Sequence, residues 1–210
     1  MVFMQPKDFQ NIIFDLGGVV LNLDYSRTIS AFQKLGINNF EASYSQLVQT
    51  GLFDEYERGE ITSQDFRNGI RKVFDVDLDD NQVDTAWNAM LLDLPSERLE
   101  LLRKLGERKR IVLLSNTNEI HIHQFNQALY LQHGLKNLSS HFQKLYYSFE
   151  LGMRKPEERI FQHVLNEQGF DPTKTLFIDD SPQHIEGARK VGLNAYHLQV
   201  GKGETILDLF

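Results

Sequence analysis

The sequence predicts an α/β fold: a doubly wound, parallel-sheet core with an all-α segment inserted after the first strand. Three observations predict it. Short apolar runs recur between amphipathic helical patterns. Two of those runs are continuously apolar, as strands covered on both faces are. The gap after the first run is far longer than the roughly 30 residues of a strand–helix–strand unit. A chain of 210 residues can hold one substantial core and a smaller insert.

The elements follow in order. The first apolar run, residues 12–14, ends at Asp15 and turns through Gly17 and Gly18. Helical patterns at 26–35, 63–74 and 79–92 occupy the excess length before the next strong strand at 110–115. The expected division is therefore 1–22 plus 95–210 for the sheet-bearing core and 23–94 for a helical cap. A helix at 96–105 repeats leucine at 99, 101, 102 and 105, between Pro95-Ser96 and Gly106. Residues 145–149 read as a weaker third strand. A helix over 156–168 places Ile160, Phe161, Val164 and Leu165 on one face and stops at Gly169. The fourth strand, 175–180, is apolar up to its two terminal acids; a helix from Ser181-Pro182 runs to Gly192, and 194–199 is the fifth strand.

Composition narrows the function. Hydrophobic residues make up 41% and charged residues 24%, ordinary for a globular protein, and the net charge is -7. An acidic chain without a basic stretch does not invite nucleic acid. The absence of cysteine excludes disulfides, thiolate catalysis and cysteine-based zinc sites. The opening MVFMQPKDFQ reads as neither signal peptide nor membrane span, so the expectation is a cytoplasmic protein with no membrane partner. No repeat or low-complexity segment is present.

Each candidate for chemistry has a plain structural reading when taken singly. Asp15 suits a turn, Ser115-Asn116-Thr117 a helix N-cap, Lys155 the surface, and one of Asp179-Asp180 a cap. Two adjacent carboxylates at an apolar strand end, however, call for a compensating cation. Asp15, Ser115 and Asp179-Asp180 also share a position, since all sit at the carboxyl ends of expected parallel strands and so converge on one edge of the sheet. Carboxylates with hydroxyl, amide and ammonium donors in one crevice suit a hard divalent cation and a phosphate; Mg2+ takes oxygen ligands and usually shares phosphate oxygens.

The stretches FDLGGVV, LLSNTN, GMRKPE and FIDDSPQHIEGA resemble, in order and spacing, the four motifs of the haloacid dehalogenase-like (HAD) hydrolases, which have a Rossmann-like core. The helical insert is similar in place to their type 1 cap. The resemblance implies a Mg2+-dependent phosphatase acting on a small phosphorylated metabolite, a sugar phosphate first. It implies Asp15 as the nucleophile that forms an aspartyl-phosphate. It implies Mg2+ on the Asp15 carboxylate, the Gly17 carbonyl and Asp180, with Asp179 supporting from behind. Ser115 and the Asn116 N–H would bind phosphate oxygens, and Lys155 would neutralise them and steady Asp15. Gly17 and Gly18 would let backbone N–H groups approach the anion.

The pattern departs in one place. Most such phosphatases carry a second aspartate two residues after the nucleophile, as acid and base; here Gly17 stands there. General acid–base help is worth about 10²–10⁴-fold. DLGGVV, and YERGEIT at 56–62, resemble the group typified by the α-glucose-1-phosphate phosphatases. A sugar 1-phosphate has a good leaving group and tolerates the loss. Alternatively the cap supplies the proton handler, with Glu55, Glu57 and Arg58 the nearest polar residues and Phe53 and Tyr56 as substrate-facing neighbours. Two further alternatives are a 2-haloacid dehalogenase, which needs no leaving-group acid, and a non-catalytic binding protein of the same fold. His121 and His123 are expected at the surface, Trp87 in the core, and DVDLDD at 75–80 in a solvated turn.

Overall fold

The structure is a computed structural model describing residues 5–37, 40 and 51–210; residues 1–4, 38–39 and 41–50, within the expected core and cap segments, lie outside the described residues. Five strands, β1 (Asn11–Phe14), β2 (Arg110–Ser115), β3 (Lys144–Tyr147), β4 (Thr175–Asp179) and β5 (Asn194–His197), form one sheet in the order β3-β2-β1-β4-β5. Every neighbouring pair is parallel. The helices are α1 (Tyr25–Lys34), α2 (Leu52–Glu57), α3 (Ser63–Phe74), α4 (Asp80–Asn88), α5 (Ser96–Gly106), α6 (Glu119–His133), α7 (Ser148–Leu151), α8 (Glu158–Gln168) and α9 (Pro182–Lys190).

Strand periodicity sorts the sheet into two faces. Ile12, Phe14, Ile111 and Leu113 pack with Leu99, Leu102 and Leu105 of α5 and Phe125 and Leu129 of α6. Ile13, Val112, Leu114 and Phe177 pack with the apolar stripe of α8 and with Ile185 and Ala188 of α9. Both faces are thus covered, which explains the continuous apolar runs of β2 and β4.

Three strand ends differ from the sequence reading, and the helix expected over 79–92 ends at Asn88. The third strand ends at Tyr147, because Ser148 leaves the ladder: its hydroxyl accepts from the Thr117 N–H at 2.9 Å and donates to the Thr117 carbonyl at 3.0 Å. The fourth strand stops at Asp179 and the fifth at His197. Helix α6 had no counterpart in the sequence reading. Its first turn, Ile120-His121-Ile122-His123, alternates like a strand, and the hydrophobic Tyr130 and Leu131 are exposed. Its ends are clearly marked: Asn118 accepts from the His121 N–H, and Gly134 closes the helix in a left-handed conformation.

The insert folds on its own apolar cluster, including Phe32, Phe40, Phe53, Tyr56, Phe66, Ile70, Val83 and Trp87, with Ile120 of α6 packed into it. Capping boxes start two of its helices, Thr62 with Asp65 at α3 and Asp79 with Gln82 at α4. Asp79 of the DVDLDD stretch is thus a cap residue. The chain enters and leaves the insert side by side. Asn22 N–H donates to Asp93 O at 3.1 Å, Leu92 N–H to Asn22 O at 3.0 Å, and Asp24 N–H to Met90 O at 3.0 Å.

Candidate active site

Because β1 lies between β2 and β4, the sheet grows to one side through β2 and β3 and then resumes on the other through β4. A parallel sheet opens a crevice at the carboxyl end of such a reversal. Asp15 follows β1 there, and its N–H donates to the Ile178 carbonyl at 3.0 Å, extending the ladder by one step. That register brings the Asp15 side chain beside Asp179.

Lys155 arrives from the loop before α8 and is fully buried, as is Asp179, while Asp15 is 7% exposed. The Lys155 ammonium donates to Asp15 Oδ1 at 2.7 Å and to Asp179 Oδ2 at 2.6 Å. Asn116 fixes the lysine's backbone: its Oδ1 accepts from the Lys155 N–H at 2.8 Å and its Nδ2 donates to the Lys155 carbonyl at 2.8 Å. Ser115, at the end of β2, is 3% exposed, and its hydroxyl makes a long contact, 3.4 Å, to the Asn116 carbonyl.

The two carboxylates facing Lys155 differ in how fully they are satisfied. Asp179 Oδ1 accepts from the Ser181 N–H at 2.8 Å, and His184 Nδ1 lies 3.0 Å from both Asp179 oxygens. Burial pushes its carboxyl up, but the Lys155 charge and the His184 contact more than offset this and bring it down to about 2. Among the described residues the Asp15 side chain is bonded to the lysine alone, so burial dominates and its pKa rises to about 7, with the charges of Asp179 and Asp180 adding to the rise. Burial and then the Asp179 charge raise Asp180 as well. On Lys155, burial opposes the charge, yet the two aspartates win and its pKa is raised.

Three acids therefore face one ammonium. Asp15, Asp179 and Asp180 each offer an oxygen within 4.8 Å of the others. Asp179 is already saturated by its partners. The second oxygen of Asp15 has no hydrogen-bond partner among the described residues, and the Asp180 carboxylate has none there but its own backbone N–H. An all-oxygen donor set with excess negative charge fits Mg2+, which takes one or two carboxylates and keeps room for phosphate and water.

The glycines act somewhat differently from expectation. Gly18 has φ +74°, and a Cβ there would lie 2.3 Å from Asp180 Oδ2, so the missing side chain makes room for that carboxylate. Its N–H donates to Leu21 O at 2.9 Å and is committed to the turn rather than offered to an anion. Gly17 lies in the same turn, bridged to Leu21, and contributes no acid or base side chain.

The cap candidates separate into two kinds. Phe53 and Tyr56, expected to face substrate, are instead buried in the insert's own core. Phe53 stacks on Trp87 at 5.2 Å and Tyr56 on Phe66 at 4.4 Å. The Tyr56 hydroxyl is used by Ser63 at 2.8 Å and by the Ile120 N–H at 3.2 Å. A helix with apolar residues at positions 53 and 56 buries that face first, and the sequence cannot show which neighbour receives it. Glu55 is half-buried, with no side-chain partner among the described residues. Arg58 is held by Glu157 Oε1, at 3.0 Å through Nε and 2.8 Å through a terminal nitrogen. His121, expected at the surface, stacks on Trp87 at 4.8 Å, and burial lowers its pKa to about 4.

Sequence reasoning missed His184, Arg154 and Glu157. His184 lies in the quoted fourth motif, and its place in the first turn of α9 puts it against Asp179. Arg154 precedes the lysine, and it donates to Glu57 at 2.8 Å and to Asp54 at 2.9 Å. The charged residues flanking Lys155 in the quoted GMRKPE stretch were the available signal.

Residues 9–192 match the family model of haloacid dehalogenase-like hydrolases. The chain is 29% identical to the D-ribitol-5-phosphate phosphatase of Bacteroides thetaiotaomicron over 91% of this chain and 93% of that protein. It is 40% identical to a HAD family enzyme of the same organism solved in complex with magnesium and inorganic phosphate, with a TM-score of 0.84 over 92% of this chain and 96% of that one. An L-2-haloacid dehalogenase of Xanthobacter autotrophicus shares the fold at 16% identity and a TM-score of 0.60, over 90% of this chain and 77% of that one.

Proposed function

Because this chain belongs to the haloacid dehalogenase-like hydrolases, we propose that it is a Mg2+-dependent phosphatase of small phosphorylated metabolites, working through an aspartyl-phosphate on Asp15. The observation that carries the reading is the buried Lys155 ammonium, 2.7 Å from Asp15 and 2.6 Å from Asp179, with the Asp180 carboxylate open beside them. Asp15 and Asp180 would hold Mg2+, which would supply positive charge to offset the repulsion between a carboxylate and a phosphate dianion.

The chain's own residues do the rest. Asp15 is held in line by Lys155, and one of its oxygens attacks phosphorus while the bond from phosphorus to the leaving oxygen breaks, that oxygen taking its proton from water because Gly17 offers none. Ser115 and the Asn116 backbone N–H bind the phosphoryl oxygens, and Lys155 shares their charge. Asp179 keeps the lysine in place and protonated through the hydrogen bonds described above. Water then hydrolyses the acyl phosphate and regenerates Asp15. Residues 23–94 form the cap over this crevice, and 1–22 with 95–210 form the core.

The substrate class we assign is a phosphorylated sugar or sugar alcohol. The D-ribitol-5-phosphate phosphatase relative supports the polyol part, and the absence of an acid at Gly17 supports sugar 1-phosphates. A cytoplasmic setting, where such metabolites meet Mg2+, belongs to the same proposal. The dehalogenase alternative rests on fold likeness alone.

The test is phosphate release from a panel of sugar 1-phosphates, sugar 6-phosphates and pentitol 5-phosphates, with and without EDTA. Turnover that chelation abolishes, and that Asp15→Asn reduces by on the order of 10⁴-fold or more, is the expected result. Turnover unaffected by Asp15→Asn defeats the mechanism. A preference for 6-phosphates over 1-phosphates defeats the leaving-group account.

A further inference from the structure

Two residues of the cap and two of the core carry reciprocal charges. On α2 and its C-cap, acid then base, stand Glu57 and Arg58; on the core loop that bears Lys155, base then acid, stand Arg154 and Glu157. They pair crosswise. Arg154 reaches Glu57 at 2.8 Å and Asp54 at 2.9 Å, and Arg58 reaches Glu157 at 2.8 Å. Immediately beyond, Gly59 lies so close to the core that a Cβ would stand 2.2 Å from the Phe149 carbonyl oxygen. One short cap segment, 54–59, is therefore bound to both sides of the catalytic lysine in sequence.

We propose that Arg154 and Glu157 are positioning residues, through which closure of the cap sets the loop that carries Lys155. The side chain of Lys155 is clamped by two aspartates and its backbone by Asn116, whereas its neighbours Arg154 and Glu157 pair with the cap, Glu157 sharing its carboxylate with Arg159 of α8. With the crosswise pairs made, the loop has one place to be. With them broken, the lysine's clamp loses support on the cap side. Arg154, Glu57, Arg58 and Glu157 keep about a quarter of their side-chain surface in solvent, 23% for each arginine and 25% for each glutamate. Salt therefore reaches these pairs and weakens them far more than it weakens the buried contacts of Lys155.

The kinetic arm of the test rests on the phosphatase reading, and a second arm does not. In the first, Arg58→Glu and Glu157→Arg each lower kcat/KM about tenfold, and the double variant recovers to within about threefold of wild type. The loss falls on kcat rather than on KM alone. Wild-type kcat/KM declines between about 0.05 and about 0.5 M NaCl, and the neutral variant Arg58→Met reduces that dependence, leaving the Arg154 pairs to carry the remainder. In the second arm, spin labels are placed on Lys72→Cys in α3 and Gln162→Cys in α8. Both are exposed, in a chain with no native cysteine. The distance between them broadens and lengthens in Arg58→Glu and returns in the charge-swapped pair. Single reversals that leave both kcat/KM and the label distance unchanged overturn the proposal, as does a double variant with no recovery. Absence of turnover in the wild type defeats the phosphatase reading and leaves the distance arm to decide this one.

Discussion

Between residues 154 and 155 the chain crosses from one electrostatic regime into another. The Lys155 side chain has no solvent exposure and is matched to two aspartates whose side chains are 10% and 0% exposed. Arg154, one step earlier, keeps 23% of its side chain in solvent against partners at 25% and 43%. Both make ion pairs of nearly the same length. The buried set is built to stay: removing one partner strands a charge away from water, which costs about 3–5 kcal/mol. The half-buried set is worth about 1 kcal/mol per pair and is still reached by salt. Similar contacts thus serve a rigid centre and a separable interface, and burial alone separates the two roles.

That comparison breaks or sharpens under substitution. The largest effect is expected from Lys155→Met set beside Arg154→Met. The first should abolish measurable turnover and lower the unfolding free energy by about 3 kcal/mol, partly relieved as Asp15 takes up a proton. The second should lower it by no more than about 1 kcal/mol. Urea unfolding of both variants at neutral pH checks this, and equal losses would erase the distinction.

Next come the two glycines, one in each regime. Gly18→Ala drives a Cβ into the Asp180 carboxylate, a movable side chain; Gly59→Ala drives one into the Phe149 carbonyl, which is backbone. Both positions have positive φ, +74° and +66°, so each substitution adds about 1–2 kcal/mol of backbone strain. Gly18→Ala should raise the Mg2+ concentration needed for half-maximal activity several-fold, whereas Gly59→Ala should leave it unchanged and open the cap. A Mg2+ titration of each variant separates the two.

The smallest effect is a pH dependence at the insert–core contact. His121 is held neutral against Trp87, with its pKa lowered to about 4 by burial, below the ordinary 6.5. Between those values the unfolded chain binds the proton and the folded chain does not. Stability is therefore full above about pH 6.5 and is lost as pH falls toward 4, on the order of 1–2 kcal/mol by pH 5. His121→Gln should flatten that part of the profile, as read from urea midpoints at pH 7 and pH 5.

Much of the core was legible because strands and their ends are local signals. Asp15, Ser115 and Asp179 each close a short apolar run, and parallel register then fixes where they meet. Lys155 was legible only through its motif, since nothing local shows that a lysine in GMRKPE is fully buried. The cap was legible as helices but not as a surface. Phe53 and Tyr56 look alike whether a helix turns them toward a ligand or toward Phe66 and Trp87. Helix α6 was hidden by an Ile-His-Ile-His start that mimics a strand, although Asn118 and Gly134 mark its limits. The Arg154–Glu57 and Arg58–Glu157 pairs join positions about 100 apart in the chain, and no sequence window contains both partners.

The neck formed by Asn22–Asp24 and Met90–Asp93 has a practical meaning for protein engineering. Both chain passages run antiparallel and bond to one another, so whatever lies between them begins and ends at a single doorway. A foreign helical module with the same end-to-end spacing could be spliced there without rerouting a sheet strand. The sheet-bearing half would then be a chassis whose insert is exchanged in one cut and one join.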